Sequence, residues 1–558
     1  MSTSTRHTPD DRDTDKGTEK DTAKGTDRDT RQGSRGFLGA IETIGNKLPD
    51  PFWLFVILAA VVAVTSWIGS RFDMTAIQPD TGDTIRVESL LTPEGLQRMI
   101  TEAVSNFTSF PPLGVILTVM LGVAVAEYSG LLSALVRAMV AKVGPRTLTF
   151  ALALAGVTGS VASDAIYVIL IPLGAMAFHA VGRSPIVGAM VAFAASSAGF
   201  NASLILNITD LLLSGISTSA AQLIDPDYEV SPLANIFFVI PSAVVLALII
   251  TAVTEFFVDR KARQLVDHDQ IDYSEVAFRK DTDDDAEAGA AADSAEDSAD
   301  DLSLSPTESR ALLITGGALV AFLAAYFALL FIPGSPLAGE GGDAMESPLI
   351  RSVAVPIALA FFVLGLVYGV ASKTITSASD IPEFMARGLK SLLPMLVLFF
   401  AVAQFLAWFE WSNLGVWTAI RGSELLQAWN LPPLAMFAGL VIMVALLNLF
   451  ITSGSAQWAL MAPVVVPMMM LVDVSPEVTQ MLFRIGDSPT NIITPMSPYF
   501  ALALTFLQRY YKPAGVGTLM SLALPFSIAM LVGWFLFFVA WYLLGIPLGP
   551  GSPMTYGG

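Results

Sequence analysis

The chain has 558 residues, of which 54% are hydrophobic and only 14% are charged, and it contains no cysteine. A soluble domain carries about 25% charged residues, so most of this chain belongs in a lipid bilayer. The lack of cysteine excludes disulfides, thiolate metal sites and cysteine nucleophiles, and the three histidines are not at metal-ligand spacing. Much of the formal charge of −19 comes from one acidic segment, so the charge does not indicate a nucleic-acid partner.

Two polar segments interrupt the apolar character of the chain. Residues 1–36 hold eight Lys/Arg and eight Asp/Glu without an apolar run, which predicts a disordered cytoplasmic arm and not a signal peptide. Residues 281–301 contain ten acidic residues and no basic one, and such a stretch cannot bury enough apolar surface to fold. We expect 258–308 to be a disordered, acidic cytoplasmic linker between two membrane halves, 42–257 and 309–545. A specific acidic binding tail is the alternative.

Apolar runs near the roughly 20 residues needed to cross the hydrocarbon core predict an all-α polytopic membrane protein. Nine spanning segments are expected, near 52–72, 111–137, 187–220, 235–257, 309–332, 350–372, 391–411, 479–508 and 517–543. Two further apolar stretches, 146–178 and 433–475, carry polar interruptions at 159–164 and 453–458, and each is typical of a re-entrant hairpin. Lys and Arg then concentrate in alternate loops, which predicts a plasma (inner) membrane protein with its N-terminus in the cytoplasm and its C-terminus outside.

The two halves share an internal repeat. Three spacings match in the same order: Pro111 to Glu127 with Pro394 to Glu410, Gly159 to Pro172 with Gly454 to Pro467, and Phe193 to Asn201 with Phe483 to Asn491. The loop charges make segments 111–137 and 391–411 cross in opposite directions, so the repeat is predicted to be inverted. Inverted repeats with broken helices are typical of secondary transporters, whose site lies where the repeats meet. We expect the site at the hairpin interruptions and at the breaks AGFNAS (198–203) and GDSPTNIITP (486–495).

Ionisable side chains inside the apolar segments mark this candidate site, because a charge at the bilayer centre costs at least ~2.5–3.5 kcal/mol. They are Asp164, Asp210, Arg484 and Asp487. Arg484 and Asp487 lie three residues apart on a helix and are expected to pair, either as a structural ion pair or as a substrate or coupling-ion site. Asp210 is interpreted either as a helix cap or as a proton carrier without a nearby base. Asp164 is either an N-cap or an ion ligand.

Neutral polar side chains beside the breaks extend the candidate site. Asn448, Asp487 and Asn491 offer the hard oxygen ligands that suit Na⁺, and Asp487 alone could instead exchange a proton. The second hairpin adds Ser453, Ser455 and Trp458. The indole of Trp458 either packs in the core or contacts an aryl substrate. No cofactor is expected apart from H⁺ or Na⁺ as the coupling ion.

Five long blocks of sequence carry a resemblance to a known family. They are GNKLPDPFWLF (45–55), NFTSFPPLGVILTVMLGVAVAEYSGLL (106–132), SDAIYVILIPLGAMAFHAVGRSP (163–185), SGSAQWALMAPVVVPM (453–468) and FRIGDSPTNIITPMSPYF (483–500). With these blocks the chain resembles the AbgT family of p-aminobenzoyl-glutamate transporters over about 42–545. The resemblance implies a homodimer of elevator-like, nine-helix protomers. It also implies import of p-aminobenzoyl-glutamate, a folate catabolite, or export of sulfonamide antimetabolites, driven by a proton or Na⁺ gradient.

The resemblance also assigns residues by motif position. The family's functional residues fall on Asp210, Asp487, Ser455, Trp458, Asn448, Asn491, Arg484, Pro467 or Pro476, and Pro495. The asparagines belong to the family's cation site, and the prolines to its helix breaks. The long acidic linker is a departure from the family pattern.

Other classes of membrane protein stay open at this point. An ion channel also uses broken helices and buried charges, and a transporter of another organic anion, such as a dicarboxylate, would share the same pattern. A membrane enzyme needs a nucleophile with a base or a metal centre, and the scarcity of His and the lack of Cys argue against one. Saturable, gradient-coupled flux would distinguish a transporter from a channel.

Deletion of residues 281–301 is expected to leave transport unchanged, because a disordered linker does not contribute to the site between the repeats. Uptake of p-aminobenzoyl-glutamate into proteoliposomes, normalised to the amount of protein, measures this. Loss of uptake at normal expression would contradict the prediction.

Overall fold

The computed structural model describes residues 49–78, 82–140, 143–159, 165–266, 270–271, 304–332, 334–339 and 347–557. The described residues are mostly α-helical. The predicted arm 1–36, most of the interruption of the first hairpin with Asp164, and the acidic segment 281–301 lie outside them, so what the sequence indicates for these parts stays a prediction. The disordered linker predicted at 258–308 is too long at both ends, because Asp259–Leu265 is helical and a further helix begins at Pro306.

The first half contains the following elements in chain order: α1 (Pro51–Arg71), β1 (Thr75–Ile77), β2 (Thr84–Arg86), α2 (Pro93–Thr101), α3 (Ala103–Thr108), α4 (Pro111–Tyr128), α5 (Leu131–Val140), α6 (Leu148–Gly159), α7 (Ala165–Ala180), α8 (Pro185–Ala198), α9 (Ile208–Ala221), α10 (Ile236–Val253), a π-helical turn (Thr254–Val258) and α11 (Asp259–Leu265). The two strands pair antiparallel, with Thr75 opposite Arg86 and Ile77 opposite Thr84.

The second half contains α12 (Pro306–Phe331), α13 (Pro348–Arg351), α14 (Ala354–Ser372), α15 (Asp380–Ser391), α16 (Leu393–Trp411), α17 (Leu414–Trp429), α18 (Pro433–Asn448), α19 (Gly454–Met470), α20 (Pro476–Asp487), a 3-10 segment (Ser488–Ile493), α21 (Pro498–Tyr510) and α22 (Val516–Leu543). Proline occupies one of the first two positions of many of these helices, where its missing N–H is not needed.

Seven helical rods in the described part of the chain are long and apolar enough to cross a membrane. They are α1, α4, the continuous α10 and α11, α12, α14, α16 and α22, and they match seven of the nine predicted spans. The other two predicted spans, 187–220 and 479–508, each consist of two short helices on either side of a break: α8 with α9, and α20 with α21. Nine crossings with two re-entrant hairpins therefore stays a prediction.

The two breaks occur where short polar residues replace apolar ones. Between α8 and α9 the chain leaves the helix, and α9 restarts with a capping box. In it, Asn207 Oδ1 accepts a hydrogen bond from the backbone N–H of Asp210 at 3.1 Å, and Asp210 Oδ2 accepts one from the N–H of Asn207 at 2.8 Å. These bonds satisfy backbone donors that lipid could not. The breaks predicted at 198–203 and 486–495 are thus confirmed as interruptions of the helices.

The interruption of the second hairpin lies earlier than the sequence suggested. Residues 449–453 separate α18 from α19, and the side chain of Ser453 accepts a hydrogen bond from the N–H of Ala456 at 3.4 Å. The prediction of an interruption at 453–458 is therefore wrong by several residues, because Ser453 acts as the helix cap. Trp458 consequently lies inside the first turns of α19.

Close backbone contacts hold the first hairpin against the first broken span. A Cβ atom added to Gly188 in α8 would lie only 2.1 Å from the carbonyl oxygen of Gly174 in α7. Small residues that allow such close approach are a main source of helix association in lipid, where burial of apolar surface contributes little. The contact therefore fixes α8, and with it the start of the first break, relative to the hairpin.

Gly188→Ala is expected to lower the free energy of unfolding by about 1–3 kcal/mol, because the added methyl group overpacks the contact with Gly174. Gly439→Ala in α18 is the control, since an added Cβ there meets nothing within 4 Å. Thermal unfolding in detergent compares the two variants. Equal stability of both would contradict this account of the packing.

Candidate functional site

A cavity of about 430 Å³ lies between the two broken spans and the second hairpin, and it is called the main cavity below. Several helices meet it near their N-termini. Residues at these ends that line the cavity are Ile208 and Thr209 in α9, Leu392 before α16, Ser453 and Gly454 at α19, and Pro498 and Tyr499 in α21. The C-terminal ends of α8, at Ser196 and Ser197, and of α15, at Ser391, also line it. The first N–H groups of a helix have no partner within it, and the helix dipole is positive there, so these ends favour anionic groups. No Lys, Arg or His of the described residues lines this cavity.

Aromatic rings form another part of the cavity wall. Tyr167 of the first hairpin stacks on Tyr499 of α21, with ring centroids 4.1 Å apart and planes 11° apart. Phe200, in the break between α8 and α9, also lines the cavity. Sequence reasoning missed all three residues. Their positions beside the interruptions, in SDAIY, AGF and SPYF, were the available signal.

A cluster of buried polar groups surrounds Asp487 at the end of α20. Asn201 Nδ2 donates to Asp487 Oδ2 at 2.9 Å, which links the first break to the second. Asn448 Nδ2 donates to the carbonyl oxygen of Asp487 at 2.5 Å and to Thr490 Oγ1 at 2.8 Å. The tip of the second hairpin closes this cluster, because a Cβ on Gly454 would lie 2.8 Å from Asp487 Oδ2.

Three buried oxygens of this cluster accept no hydrogen bond from the residues that the structure describes: Asn201 Oδ1, Asn448 Oδ1 and Asp487 Oδ1. Buried acceptors normally have a partner, and carboxylate and amide oxygens are the ligands that suit a hard cation. The donor set therefore fits a small cation. The structure brings the predicted ligands Asp487 and Asn448 together, adds Asn201, and places Asn491 in the wall of the main cavity.

Arg484 pairs with a different carboxylate from the expected one. Its Nη2 atom forms an ion pair with Oδ1 of Asp210, and the two side chains are only 1% and 6% exposed. The predicted pair with Asp487, and the prediction that Asp210 has no nearby base, are both wrong. Helix spacing alone favoured Asp487, but the capping box directs the Asp210 carboxylate from α9 toward the guanidinium on α20.

Trp458 packs in the protein core in this structure. Its side chain is fully buried, its Nε1 donates to Ser217 Oγ at 3.0 Å, and its ring centroid lies 4.6 Å from that of Phe483. Of the two interpretations of this tryptophan, the core position is the one observed.

The two serines at the start of α19 have separate surroundings. Ser453 lines the main cavity, whereas Ser455 lines an adjoining cavity of about 170 Å³ together with Asp487. Pro467 lies inside α19 and Pro495 follows the 3-10 segment. Neither proline is among the described residues that line these two cavities.

Apolar rods of membrane length mark this chain as a multi-pass membrane protein, and its broken helices and buried charges are typical of transporters. The model of the AbgT putative transporter family matches residues 36–556. The chain is 37% identical over 515 residues to the p-aminobenzoyl-glutamate transport protein of Escherichia coli (strain K12), a match that covers 92% of this chain and 96% of that one. The protein belongs to the AbgT family.

Two solved structures share this fold. The crystal structure of the YdaH transporter of Alcanivorax borkumensis is 38% identical, with a TM-score of 0.79, and the match covers 90% of this chain and all of that one. MtrF of Neisseria gonorrhoeae, described with a class of antimetabolite efflux pumps, is also 38% identical, with a TM-score of 0.82. That match covers 93% of this chain and 100% of the MtrF chain.

Asp210→Asn is expected to lower the free energy of unfolding by about 3–5 kcal/mol, because it leaves the buried Arg484 without its counter-charge. The double variant Asp210→Asn/Arg484→Gln should recover much of this loss. Glu383→Gln is the control, since its ion pair with Arg387 is more than half exposed and contributes about 1 kcal/mol or less. Unfolding in detergent measures all three, and equal losses for Asp210→Asn and Glu383→Gln would contradict the prediction.

Proposed function

We propose that this protein is a cation-coupled secondary transporter that binds p-aminobenzoyl-glutamate, or a related aryl acid or sulfonamide antimetabolite, in the main cavity. The observation that carries the proposal is the convergence of helix N-termini on a cavity without a basic side chain among its described lining residues. Such ends hold carboxylates through backbone N–H groups. A site of this kind binds an anion without placing a permanent cationic side chain at membrane depth.

The rest of the cavity wall suits the other parts of such a substrate. p-Aminobenzoyl-glutamate carries two carboxylates and an aromatic ring joined by an amide. The hydroxyl groups of Thr452 and Ser453 line the cavity near the start of α19 and suit the carboxylates. The rings of Tyr499 and Phe200 offer an offset or edge contact for the benzoyl group. A simple dicarboxylate, the alternative substrate, would use the helix ends but leave these rings without a partner.

The Asp487 cluster is the proposed site of the coupling ion. It supplies one carboxylate and neutral amide oxygens, which balances the charge of a monovalent cation. The described residues contain no group of three or more His, Cys, Asp or Glu that could hold a metal ion of higher charge. We therefore favour Na⁺ as the ion, bound by Asp487, Asn448 and Asn201. Asn491 lines the neighbouring main cavity, where it would contact the substrate. Because Asp210 is held by Arg484, the proposal gives the coupling role to Asp487.

The arrangement in the membrane is also part of the proposal. The bias of Lys and Arg supports an inner-membrane orientation with the N-terminus in the cytoplasm and the C-terminus outside. The main cavity is lined by Ser391, next to the basic residues Lys390 and Arg387, so it would open toward the cytoplasm. Most of α12 is exposed, which leaves apolar surface for lipid and for a second protomer of a homodimer.

Asp487→Asn is expected to raise the Na⁺ concentration for half-maximal uptake by roughly tenfold to a hundredfold, since a contact to a charged group contributes about 1.5–3 kcal/mol. Uptake and efflux of p-aminobenzoyl-glutamate and a sulfonamide are measured in proteoliposomes, with Na⁺ and pH gradients imposed separately. Glu424→Gln, at an exposed ion pair, should behave as the wild type.

Three results would change the proposal. Uptake that follows the pH gradient and ignores Na⁺ would assign the coupling to protons. Flux that does not saturate with substrate would indicate a channel and contradict the transporter. Competition by simple dicarboxylates as strong as that by p-aminobenzoyl-glutamate would contradict the role of the aromatic wall.

A further inference from the structure

A second cavity, of about 520 Å³, approaches α9 from the end opposite to the main cavity. The main cavity contacts the start of α9 at Ile208 and Thr209, whereas the second contacts its later turns at Gly215 and Thr218. The first turns of α4 form another wall of the second cavity. The two cavities therefore contact different turns of α9.

Glu477, at the start of α20, lines this second cavity and is only 3% exposed. The hydroxyl group of Tyr228 donates to its Oε2 at 2.9 Å and to its Oε1 at 3.2 Å. No described basic residue forms an ion pair with it. Glu477 precedes the predicted span 479–508. Burial raises the pKa of its carboxyl to about 7, and this effect outweighs the hydrogen bonds from its own backbone, Tyr228 and Ser475, which lower the pKa.

The other charged and titratable groups near Glu477 leave it without a strong counter-charge. Those around the cavity and the Tyr228 ring are Asp225, Glu229, Arg351 and Tyr556. Of the helices that pack on α20, which are α9, α18, α19 and α22, only α9 carries a charged residue, Asp210. Arg484 already neutralises that residue. Arg351 lines the same cavity but forms no ion pair with Glu477 and is not among the groups that shift its pKa. A proton can therefore neutralise the buried carboxylate.

A chain of buried hydrogen bonds connects Glu477 to the second hairpin. Trp458 Nε1 donates to Ser217 Oγ at 3.0 Å, and Ser217 Oγ donates to Gln480 Oε1 at 2.7 Å. Gln480 Nε2 donates to Asn235 Oδ1 at 2.8 Å, and Asn235 Nδ2 donates to the carbonyl oxygen of Glu477 at 3.0 Å. Because these hydrogen bonds are continuous, a shift of the start of α20 would also displace the side chain of Trp458 on α19.

We propose that Glu477 is a separate proton-binding site of this transporter, loaded from the second cavity and linked to the hairpin of α18 and α19 by this chain. In the loading step a carboxylate oxygen of Glu477 takes a proton from a hydronium ion in the cavity, which leaves a water molecule, and becomes a neutral carboxylic acid, while Tyr228 keeps its hydrogen bond to the other oxygen. A neutral acid tolerates burial much better than a carboxylate.

The sign of the resulting pH dependence follows from the burial. The proton binds more tightly in the conformation that buries Glu477 than in one that exposes it to water, where the pKa returns toward the ordinary value of about 4.3. Lower pH on the side of the second cavity therefore favours the conformation described here, with Glu477 buried and the main cavity open. This favourable contribution is complete below about pH 4.3, decreases as the pH rises, and is lost as the pH passes about 7.

The first test needs no transport, so it stands apart from the proposed function. Infrared spectra of the full chain in nanodiscs, recorded across a pH series without substrate, should show a protonated carboxyl band that disappears near neutral pH. Glu477→Gln should remove a component of this band, and Glu229→Gln, at an exposed residue of the same cavity, should retain the band in full. Folded Glu477→Gln protein with the full wild-type band would overturn the proposal.

Tyr228→Phe keeps the test decisive if Glu477→Gln does not fold. Loss of the hydroxyl removes a hydrogen bond that favours the ionised carboxylate, so the midpoint of the band should move to higher pH. An unchanged midpoint would contradict the assignment to Glu477.

The second test rests on the proposed function. Substrate counterflow is measured with equal Na⁺ on both sides while the pH on the side of the second cavity varies. The protonated fraction of a group that titrates near neutrality falls roughly tenfold between about pH 6 and about pH 8. The wild-type KM should change by a similar factor over this pH range. Glu477→Gln should flatten this profile and Glu229→Gln should not. A folded, active Glu477→Gln variant with the wild-type profile would overturn the link to transport.

Discussion

The ion pair between Arg484 and Asp210 connects the two halves of the chain at the centre of the molecule. Asp210 belongs to the broken span of the first half and also caps α9, while Arg484 lies on α20 in the second half. Neither charge would be stable alone in this buried position. The pair therefore determines how α9 lies against α20, and both the main cavity and the Asp487 cluster form beside that contact.

Arg484 forms its ion pair with Asp210 and not with Asp487. The carboxyl group of Asp487 therefore accepts a hydrogen bond from the amide of Asn201 at Oδ2, and its Oδ1 has no donor among the described residues. The charges at the centre are thus divided. The main cavity has neutral hydroxyl groups, rings and helix ends, which suits an anionic substrate, and the Asp487 cluster offers carboxyl and amide oxygens, which suits a cation. In the proposed function, substrate and ion occupy adjoining sites, and Gly454 at the start of α19 lies at both.

Composition and run length were sufficient to predict the apolar rods, because the thickness of the bilayer limits the length of a spanning helix. Short polar residues predicted the breaks at 198–203 and 486–495, and long undegenerate blocks predicted the family. The sequence could not show which carboxylate Arg484 would meet, since that contact joins residues 274 positions apart. It also missed the stack of Tyr167 on Tyr499, because aromatic residues are common in apolar segments and only the fold brings these two together.

Thiol labelling tests the central claim, that the main cavity is the substrate site and opens to one side. The chain has no cysteine, so single Thr209→Cys, Ser453→Cys and Ser231→Cys variants need no altered background. In oriented vesicles, an impermeant maleimide should reach the first two from the cytoplasmic side, and p-aminobenzoyl-glutamate should protect them, whereas Ser231→Cys in the second cavity should react from the opposite side without protection. Labelling of Thr209→Cys and Ser453→Cys that substrate does not reduce, or that occurs equally from both sides, would contradict the account.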